Sequence, residues 1–170
     1  NLYVIEDGAQ SFGAELNGKK SCSLTDISIT SFFPTKPLGC YGDGGALFTN
    51  SDQLHERLNS LRLHGKGANK YDNIRVGMNS RLDTVQAAIL IEKLRIFPSE
   101  LSSRRSIANK YTEALSGRLI TPQIDVKSSS AWAQYTVKCN KREKFRTELS
   151  AYGIPTVVYY PLALTQQEGY

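Results

Sequence analysis

The chain has 170 residues, of which 40% are hydrophobic and 22% charged, a composition typical of a globular protein with one domain or part of a second. Its formal net charge of +5 is spread along the sequence without a basic block, so it favours anionic ligands in general and argues against a nucleic-acid-binding surface. No apolar run is long enough to cross a membrane, and three widely spaced cysteines form no metal-binding pattern with the two histidines, which favours reduced thiols in a cytoplasmic protein.

A first strand is predicted by the apolar run Leu2–Ile5, which an acid and a glycine follow at Asp7 and Gly8. Ligands bind at the carboxyl ends of strands in open α/β sheets, so Asp7 is a candidate binding carboxylate. A carboxylate there can hold the proton of a ring nitrogen in a charge-assisted hydrogen bond. The structural alternative for Asp7 is a turn or a helix cap. The abrupt start on a strand, and an equally abrupt end, suggest an internal piece of a longer protein.

The next strand is predicted at 27–33, after a polar segment in which Asn17-Gly18 indicates a short hairpin or loop. It leads into the sequence SFFPTKPLGCYGDGG at 31–45, and a second β run follows at 46–49.

One lysine, Lys36, stands between Pro34 and Pro37 in this turn. Each proline fixes its own φ and moves the residue before it out of the helical region, so the lysine sits on a stiff, non-helical segment. A fixed amine that can lose its proton suits imine chemistry with a carbonyl. The structural alternative is a solvated loop lysine.

The second half of the sequence is predominantly helical by pattern. Asn50-Ser51-Asp52 predicts the cap of a helix that runs to about residue 63. A basic, glycine-containing loop follows at 65–77, and Pro98 is expected to divide two long helices. A domain boundary is placed near Gly117. Beyond it the pattern predicts a β-α-β piece, with elements at 132–139, 141–152 and 154–160.

Three segments together resemble the DegT/DnrJ/EryC1/StrS family, the pyridoxal-phosphate-dependent nucleotide-sugar aminotransferases. They are Glu6-Asp7-Gly8-Ala9-Gln10, the lysine turn at 31–45, and the run from Gly77 through Asn79 and Arg81 to Gln86-Ala87-Ala88. The resemblance implies an α/β fold of the aspartate-aminotransferase type (pyridoxal-phosphate fold type I), a mixed, mostly parallel sheet with flanking helices. Residues 1–116 would then be part of the cofactor-binding large domain, and 117–170 the beginning of a small C-terminal α/β domain.

The same resemblance implies roles for residues near the lysine turn. Lys36 would hold pyridoxal 5'-phosphate as an imine and later move the proton between carbon atoms. Asp7 would pair with the pyridinium nitrogen, and Gln10 would lie near the ring. Ser31 would contact the cofactor phosphate, the structural alternative being an ordinary strand serine.

Two further residues would act at the site of a partner subunit or on the substrate. By resemblance Asn79 contacts the phosphate of the neighbouring subunit's cofactor. Arg81 is a candidate for binding the anionic nucleotide-sugar, because guanidinium suits phosphate and carboxylate. The structural alternative for Arg81 is a surface ion pair.

The resemblance implies a homodimer with shared active sites, which transfers an amino group from an amino acid, glutamate by expectation, to a keto-sugar nucleotide for surface polysaccharide. The amino-acid sequence of the lysine turn most resembles that of members that act on 3-keto sugar nucleotides, including uronic acids. Ala163 departs from the family pattern, which has a histidine there. Two alternatives are the family's dehydratase branch, in which a histidine replaces the lysine, and a non-catalytic binding or sensory relative. The presence of Lys36 argues against the first.

Overall fold

Two compact units make up the chain in the computed structural model, which describes residues 2–169. The first unit comprises 2–114 and 122–135, and the second comprises 115–121 and 136–169. The segment 122–135 therefore packs with the first unit. The boundary near Gly117 itself stays a prediction.

Short strands and three helices form the two units. The strands are β1 (Ile5–Asp7), β2 (Glu15–Leu16), β3 (Lys19–Lys20), β4 (Ile27–Ser31), β5 (Gly45–Phe48) and β6 (Ser128–Ser129). The helices are α1 (Asp52–Arg62), α2 (Thr84–Leu115) and α3 (Arg142–Ala151), with a 3-10 turn at Leu164–Gln166. Among the described residues, no helix is both long enough and apolar enough to cross a membrane.

The first sheet has the strand order β1-β4-β5. Strands β1 and β4 are parallel, with Ile5 opposite Ile27, and β4 and β5 are antiparallel. The predicted mixed sheet is confirmed, but one parallel and one antiparallel pair do not establish a mostly parallel one. The predicted strand at 2–5 is wrong in its bounds. Because β4 begins opposite Ile5, residues 2–4 have no partner in this sheet.

The second sheet has the order β3-β2-β6 and is antiparallel. Strands β2 and β3 form the predicted hairpin around Asn17 and Gly18, whose φ angles of 52° and 75° match the left-handed turn that an Asn-Gly pair favours. Strand β6 has no counterpart among the elements predicted from the sequence. Its two serines carry no β pattern, and they form a strand because β2 supplies a partner from far along the chain.

The core of the first unit lies between the lysine turn and α2. Its buried members are Phe32, Leu38, Cys40, Leu90 and Phe97. The ring of Phe12 packs against this cluster, 5.7 Å from that of Phe97 and 6.4 Å from that of Phe32. The side chains that follow β1 and β4 are thus anchored on the same helix.

Helix α1 begins and ends close to its predicted limits, and its ends carry the expected signals. The Ser51 hydroxyl accepts a hydrogen bond from the Leu54 N–H at 3.3 Å, the N-cap contact that its position predicts. Asp52 lies in the first turn and Arg62 in the last, each on the side that complements the helix dipole.

Helix α2 runs without a break through Pro98, so the prediction of two helices was wrong. A proline in a helix interior costs about 3 kcal/mol. Phe97 and Ala108 are buried on either side of it, and Leu101 packs against the core. Burial of a large apolar side chain contributes about 1.5–3 kcal/mol, so packing on both sides offsets the cost of the proline.

The second unit contains α3, as predicted, but the two strands expected around it are absent from the described residues. In the stretch 132–139 only Lys138 pairs, in an isolated bridge with Ile120. Alternating residues form a strand only where another strand lies alongside. In the described part of the chain, neither 132–139 nor 154–160 has a neighbouring strand to pair with.

Glu6, which sequence reasoning passed over, connects β1 with the segment that leads into β4. Its carboxylate accepts hydrogen bonds from the N–H groups of Cys22 (2.7 Å) and Leu24 (3.1 Å) and from the hydroxyls of Ser21 and Ser28 (3.0 Å each). Burial by itself would raise the pKa of Glu6, but these four donors outweigh it and lower the pKa. Since Glu6 directly precedes Asp7, the network fixes the end of β1.

We expect Glu6→Gln to destabilise the full-length protein by about 1–3 kcal/mol at neutral pH. The NH2 group of the glutamine amide would face N–H and O–H donors whose hydrogen bonds a carboxylate oxygen now accepts. Because the pKa of Glu6 is lowered in the folded state, its stabilisation is present above the ordinary glutamate pKa and is lost as the pH falls through the lowered value. Urea unfolding at pH 7 and in acid should show the gap between parent and variant closing on acidification. Glu113→Gln, on the exposed side of α2, is the matched control. A gap that stays constant with pH would contradict the assignment.

Candidate active site

The carboxyl ends of β1 and β4 form one edge of the first sheet. The strands are parallel with Asp7 opposite Ile29, so Asp7 ends β1 at the edge where Ser31 ends β4. The Gly8 N–H donates to the Ile29 carbonyl at 2.7 Å, which extends the pairing past Asp7. The predicted position of Asp7 at the carboxyl end of a strand is confirmed.

The Asp7 side chain is exposed and partly fixed by its own loop. Its Oδ1 accepts a hydrogen bond from the Ala9 N–H at 3.0 Å. The chain then turns, with the Phe12 N–H donating to the Gly8 carbonyl at 3.0 Å. Gln10 is exposed within this turn. This hydrogen bond therefore orients the carboxylate, which can still accept a hydrogen bond from a further donor.

Lys36 lies on a closed turn that begins at the end of β4. Its N–H donates to the Phe33 carbonyl at 2.9 Å, and the Cys40 N–H donates to the Phe32 carbonyl at 2.8 Å. Lys36 is half-buried. The hydroxyl of Ser31 accepts a hydrogen bond from the Phe33 N–H at 3.2 Å. The predicted non-helical turn around the lysine is confirmed.

Glycine is required at position 39 by the packing of this turn. A Cβ on Gly39 would lie 2.7 Å from the carbonyl oxygens of both Phe33 and Pro34. Such an approach is closer than van der Waals contact allows, so the turn closes only without a side chain there.

Helix α2 holds the turn from outside, through two contacts that the sequence analysis did not identify. The Lys93 Nζ donates to the Gly39 carbonyl at 2.5 Å and lies 5.6 Å from the centroid of the Tyr41 ring. The Gln86 Oε1 accepts a hydrogen bond from the Tyr41 N–H at 2.8 Å. The one sequence signal available was spacing, because residues seven apart lie on one face of a helix.

Asn79 and Arg81 are held by the end of α1. The last carbonyls of a helix have no partner within it, and here those of Leu61 and Arg62 accept from the N–H groups of Met78 (2.8 Å) and Ser80 (2.9 Å). Asn79 lies between these two anchored residues. Its Oδ1 accepts a hydrogen bond from the Arg81 Nε at 2.9 Å, so the two side chains are held together.

The glycine that opens this segment permits a close approach of two backbones. A Cβ on Gly77 would collide with the backbone of His64 and Gly65. The glycine of this run therefore sets the path of the chain into Asn79.

A cavity of about 1200 Å³ lies beside this second group of residues. Asn79 and Arg81 line it, together with Arg62 and His55 of α1 and residues of β4 and β5. Asp7, Gln10, Ser31 and Lys36 are not among its lining residues. The structure thus gathers the predicted site residues into two groups, one at the sheet edge and one at the end of α1.

Within residues 2–169, no group of three His, Cys, Asp or Glu side chains could hold a metal ion.

Comparison with known proteins assigns the chain to a family. The family model described as the DegT/DnrJ/EryC1/StrS aminotransferase family matches residues 1–170. The chain belongs to this family. The resemblance of the three sequence segments is thereby confirmed, although the family match does not by itself test the role of any residue.

Named relatives of the DegT/DnrJ/EryC1/StrS family cover the chain almost completely. The UDP-2-acetamido-2-deoxy-3-oxo-D-glucuronate aminotransferase of Pseudomonas aeruginosa is 52% identical over 167 residues, which are 98% of this chain and 46% of the relative. The chain therefore spans about half the length of the curated relatives it matches.

Solved structures of the DegT/DnrJ/EryC1/StrS family have the same fold. A crystal structure of a family aminotransferase from Brucella abortus superposes with a TM-score of 0.97 at 47% identity, covering 99% of this chain and 45% of that one. DesV of S. venezuelae, solved in complex with a ketimine intermediate, gives a TM-score of 0.95 at 36% identity, with coverage of 99% and 46%.

Proposed function

We propose that the full-length protein is a pyridoxal-phosphate-dependent aminotransferase that moves an amino group from an amino acid, glutamate in our proposal, to a keto-sugar nucleotide. The observation that carries the proposal is a half-buried lysine on a closed turn, at the sheet edge where an exposed aspartate ends the neighbouring parallel strand. Family membership supports it, and so does the name of the P. aeruginosa relative. Residues 117–170 would begin the small C-terminal α/β domain.

The chemistry of the donor set fits pyridoxal phosphate. Asp7 offers a carboxylate to a protonated ring nitrogen, Lys36 an amine to an aldehyde, and Ser31 a hydroxyl to a phosphate. Gln10, exposed on the turn after Asp7, adds an amide near the ring. When bound, the cofactor supplies the electron sink that stabilises negative charge on carbon.

The residues of this chain would then orient the reactants and handle protons. Asp7 keeps a proton on the ring nitrogen, and the Ala9 N–H on its Oδ1 restricts the rotation of the carboxylate. The Nζ of Lys36 would take a proton from one carbon atom and return it to another. The closed turn keeps that amine within reach during both transfers.

The substrate is proposed to be a 3-keto sugar nucleotide, a uronic acid form in particular, used for surface polysaccharide. The amino-acid sequence of the lysine turn supports this class of substrate, as does the name of the P. aeruginosa relative. Arg81 would bind an anionic group of the substrate. Its Nε is engaged by Asn79, and a guanidinium has further N–H groups that suit a phosphate or carboxylate.

The test is to supply the purified full-length protein with pyridoxal phosphate, a UDP-3-keto-uronate and glutamate, and to follow the sugar by mass spectrometry. Gain of an amino group, dependent on the amino acid and matched by formation of 2-oxoglutarate, is expected. Replacement of glutamate by aspartate or alanine identifies the donor. Loss of water without amine formation would indicate the dehydratase alternative, and an unchanged sugar with every donor would support the non-catalytic one.

The enzyme is further proposed to be a homodimer in which Asn79 completes the partner's site. Support comes from the separation of the two residue groups and from the loop before Asn79, which exposes four apolar side chains: Tyr71, Ile74, Val76 and Met78. Exposed apolar patches of this kind are typical of interfaces between subunits, where their burial removes apolar surface from water.

Mixing two inactive variants, Lys36→Ala and Asn79→Ala, should restore activity. Random exchange of subunits in a two-fold dimer places both intact residues in one site of each mixed dimer, so about one quarter of the parent activity is expected. The control is to mix each variant with itself. Absence of rescue, with subunit exchange demonstrated by mass spectrometry, would show that each site is built within one subunit.

A further inference from the structure

We propose that Gln86 and Lys93 of helix α2 are positioning residues that hold the turn of Lys36 in its reactive place. The inference rests on the proposed function, because it concerns the geometry of the same lysine. Neither residue is proposed to touch substrate or cofactor.

Lys93 anchors the middle of the turn. Its ammonium donates to the Gly39 carbonyl, three residues after Lys36, and lies over the Tyr41 ring at 5.6 Å from the centroid. In the described part of the chain this ammonium forms no ion pair with a carboxylate. Its charge is therefore directed at the turn itself, through a charge-assisted hydrogen bond and a cation–π contact.

Gln86 anchors the end of the turn. Its Oε1 accepts the Tyr41 N–H, and its Nε2 lies 3.1 Å from the point where a Cβ on Gly42 would stand. The glycine therefore lets the amide of Gln86 approach the backbone of the turn closely. A side chain at position 42 would push the amide away.

The two polar contacts alternate with buried apolar ones on a single face of α2. Gln86, Leu90, Lys93 and Phe97 follow one another at intervals of four, three and four residues, which is the spacing of one helix face. Leu90 and Phe97 belong to the buried core that also contains Leu38 from the turn. Hydrogen bonds are directional. A helix face that contributes both hydrogen bonds and packing contacts therefore restricts the position of the turn more than packing alone would.

This arrangement has a consequence for catalysis. The turn is closed at its base by the hydrogen bond from the Cys40 N–H to the Phe32 carbonyl, and Lys36 lies within the closed segment, between Pro34 and Pro37. Its amine must reach two carbon atoms in turn, and a displacement of about 1 Å at a reacting group can cost about 100-fold in rate. Loosening the anchors should thus reduce turnover more than substrate binding.

The test compares Lys93→Met and Gln86→Leu in the full-length holoenzyme with the conservative variants Lys93→Arg and Gln86→Glu, which keep the donor and the acceptor. Controls on exposed positions of α2 are Lys110→Met and Asn109→Leu. We expect kcat to fall about tenfold or more with KM within about twofold, and the conservative variants to recover most of the loss. The pH midpoint of the lysine-imine absorption band should shift in Lys93→Met and not in Lys110→Met.

A second measurement needs no cofactor. Hydrogen exchange at the Tyr41 amide of the apoprotein should accelerate in Gln86→Leu and remain near the parent rate in Gln86→Glu. Parent values of kcat, of the imine midpoint and of Tyr41 exchange in both disruptive variants would overturn the inference, provided that borohydride reduction of the parent labels Lys36. If the parent carries its label elsewhere, the proposed function fails and the inference fails with it.

Discussion

Replacing Lys36 by arginine should abolish amino transfer in the full-length enzyme and leave the fold intact. Arginine keeps the positive charge and can occupy the same half-buried place on the turn, but its guanidinium does not lose a proton in proteins and cannot form an imine. Since the amine would serve both as covalent holder and as proton carrier, we expect kcat to fall by at least about 1,000-fold, as when a nucleophile is removed. Steady-state kinetics on the purified variant measure the loss.

The control for this variant is Lys110→Arg, the same exchange at an exposed position of α2. It should retain the parent rate. Circular dichroism and thermal unfolding of Lys36→Arg should match the parent, because the backbone bonds of the turn do not involve the side chain. Turnover near the parent rate in Lys36→Arg would remove this lysine from the mechanism.

For Asp7→Asn we expect a kcat lower by about 100-fold with a much smaller change in KM. The asparagine can still accept the Ala9 N–H on its Oδ1, so the loop after β1 should keep its shape. Only the charge that holds the ring proton is lost, and loss of one preorganised electrostatic partner of a transition state costs about 100-fold or more. An effect confined to kcat is the signature of an interaction needed in the transition state.

Asp125→Asn provides a matched control, because the Asp125 Oδ1 accepts the N–H of Lys127 two residues later at 2.8 Å, the same local contact on another loop. This variant should behave as the parent. A raised KM with unchanged kcat in Asp7→Asn would assign Asp7 to substrate binding and count against its pairing with a ring nitrogen.

Several local features could be predicted from the sequence because they depend on residues close together in the chain. Two prolines around Lys36 fix a non-helical turn whatever surrounds it, and the Asn17-Gly18 pair selects a left-handed hairpin turn. A serine before a helix caps it in the same way, as Ser51 does. Asp7 could be placed at the end of a strand because an acid and a glycine stop an apolar run.

Features that depend on distant partners could not be predicted in this way. Helix α2 continues through Pro98 because packing on both sides outweighs a local penalty, and Ser128–Ser129 form a strand because β2 lies beside them. The alternating residues at 132–139 form none, since alternation needs a neighbour to pair with.

The candidate site divides along the same line. The sequence identifies the type of each group, including the amine of Lys36 and the carboxylate of Asp7, because side-chain chemistry belongs to the residue itself. Which strand ends share an edge, and which helix residues hold the turn, follows from strand pairing and from packing against α2. Glu6 gains its four donors in the same way, from residues that only the folded chain brings to it.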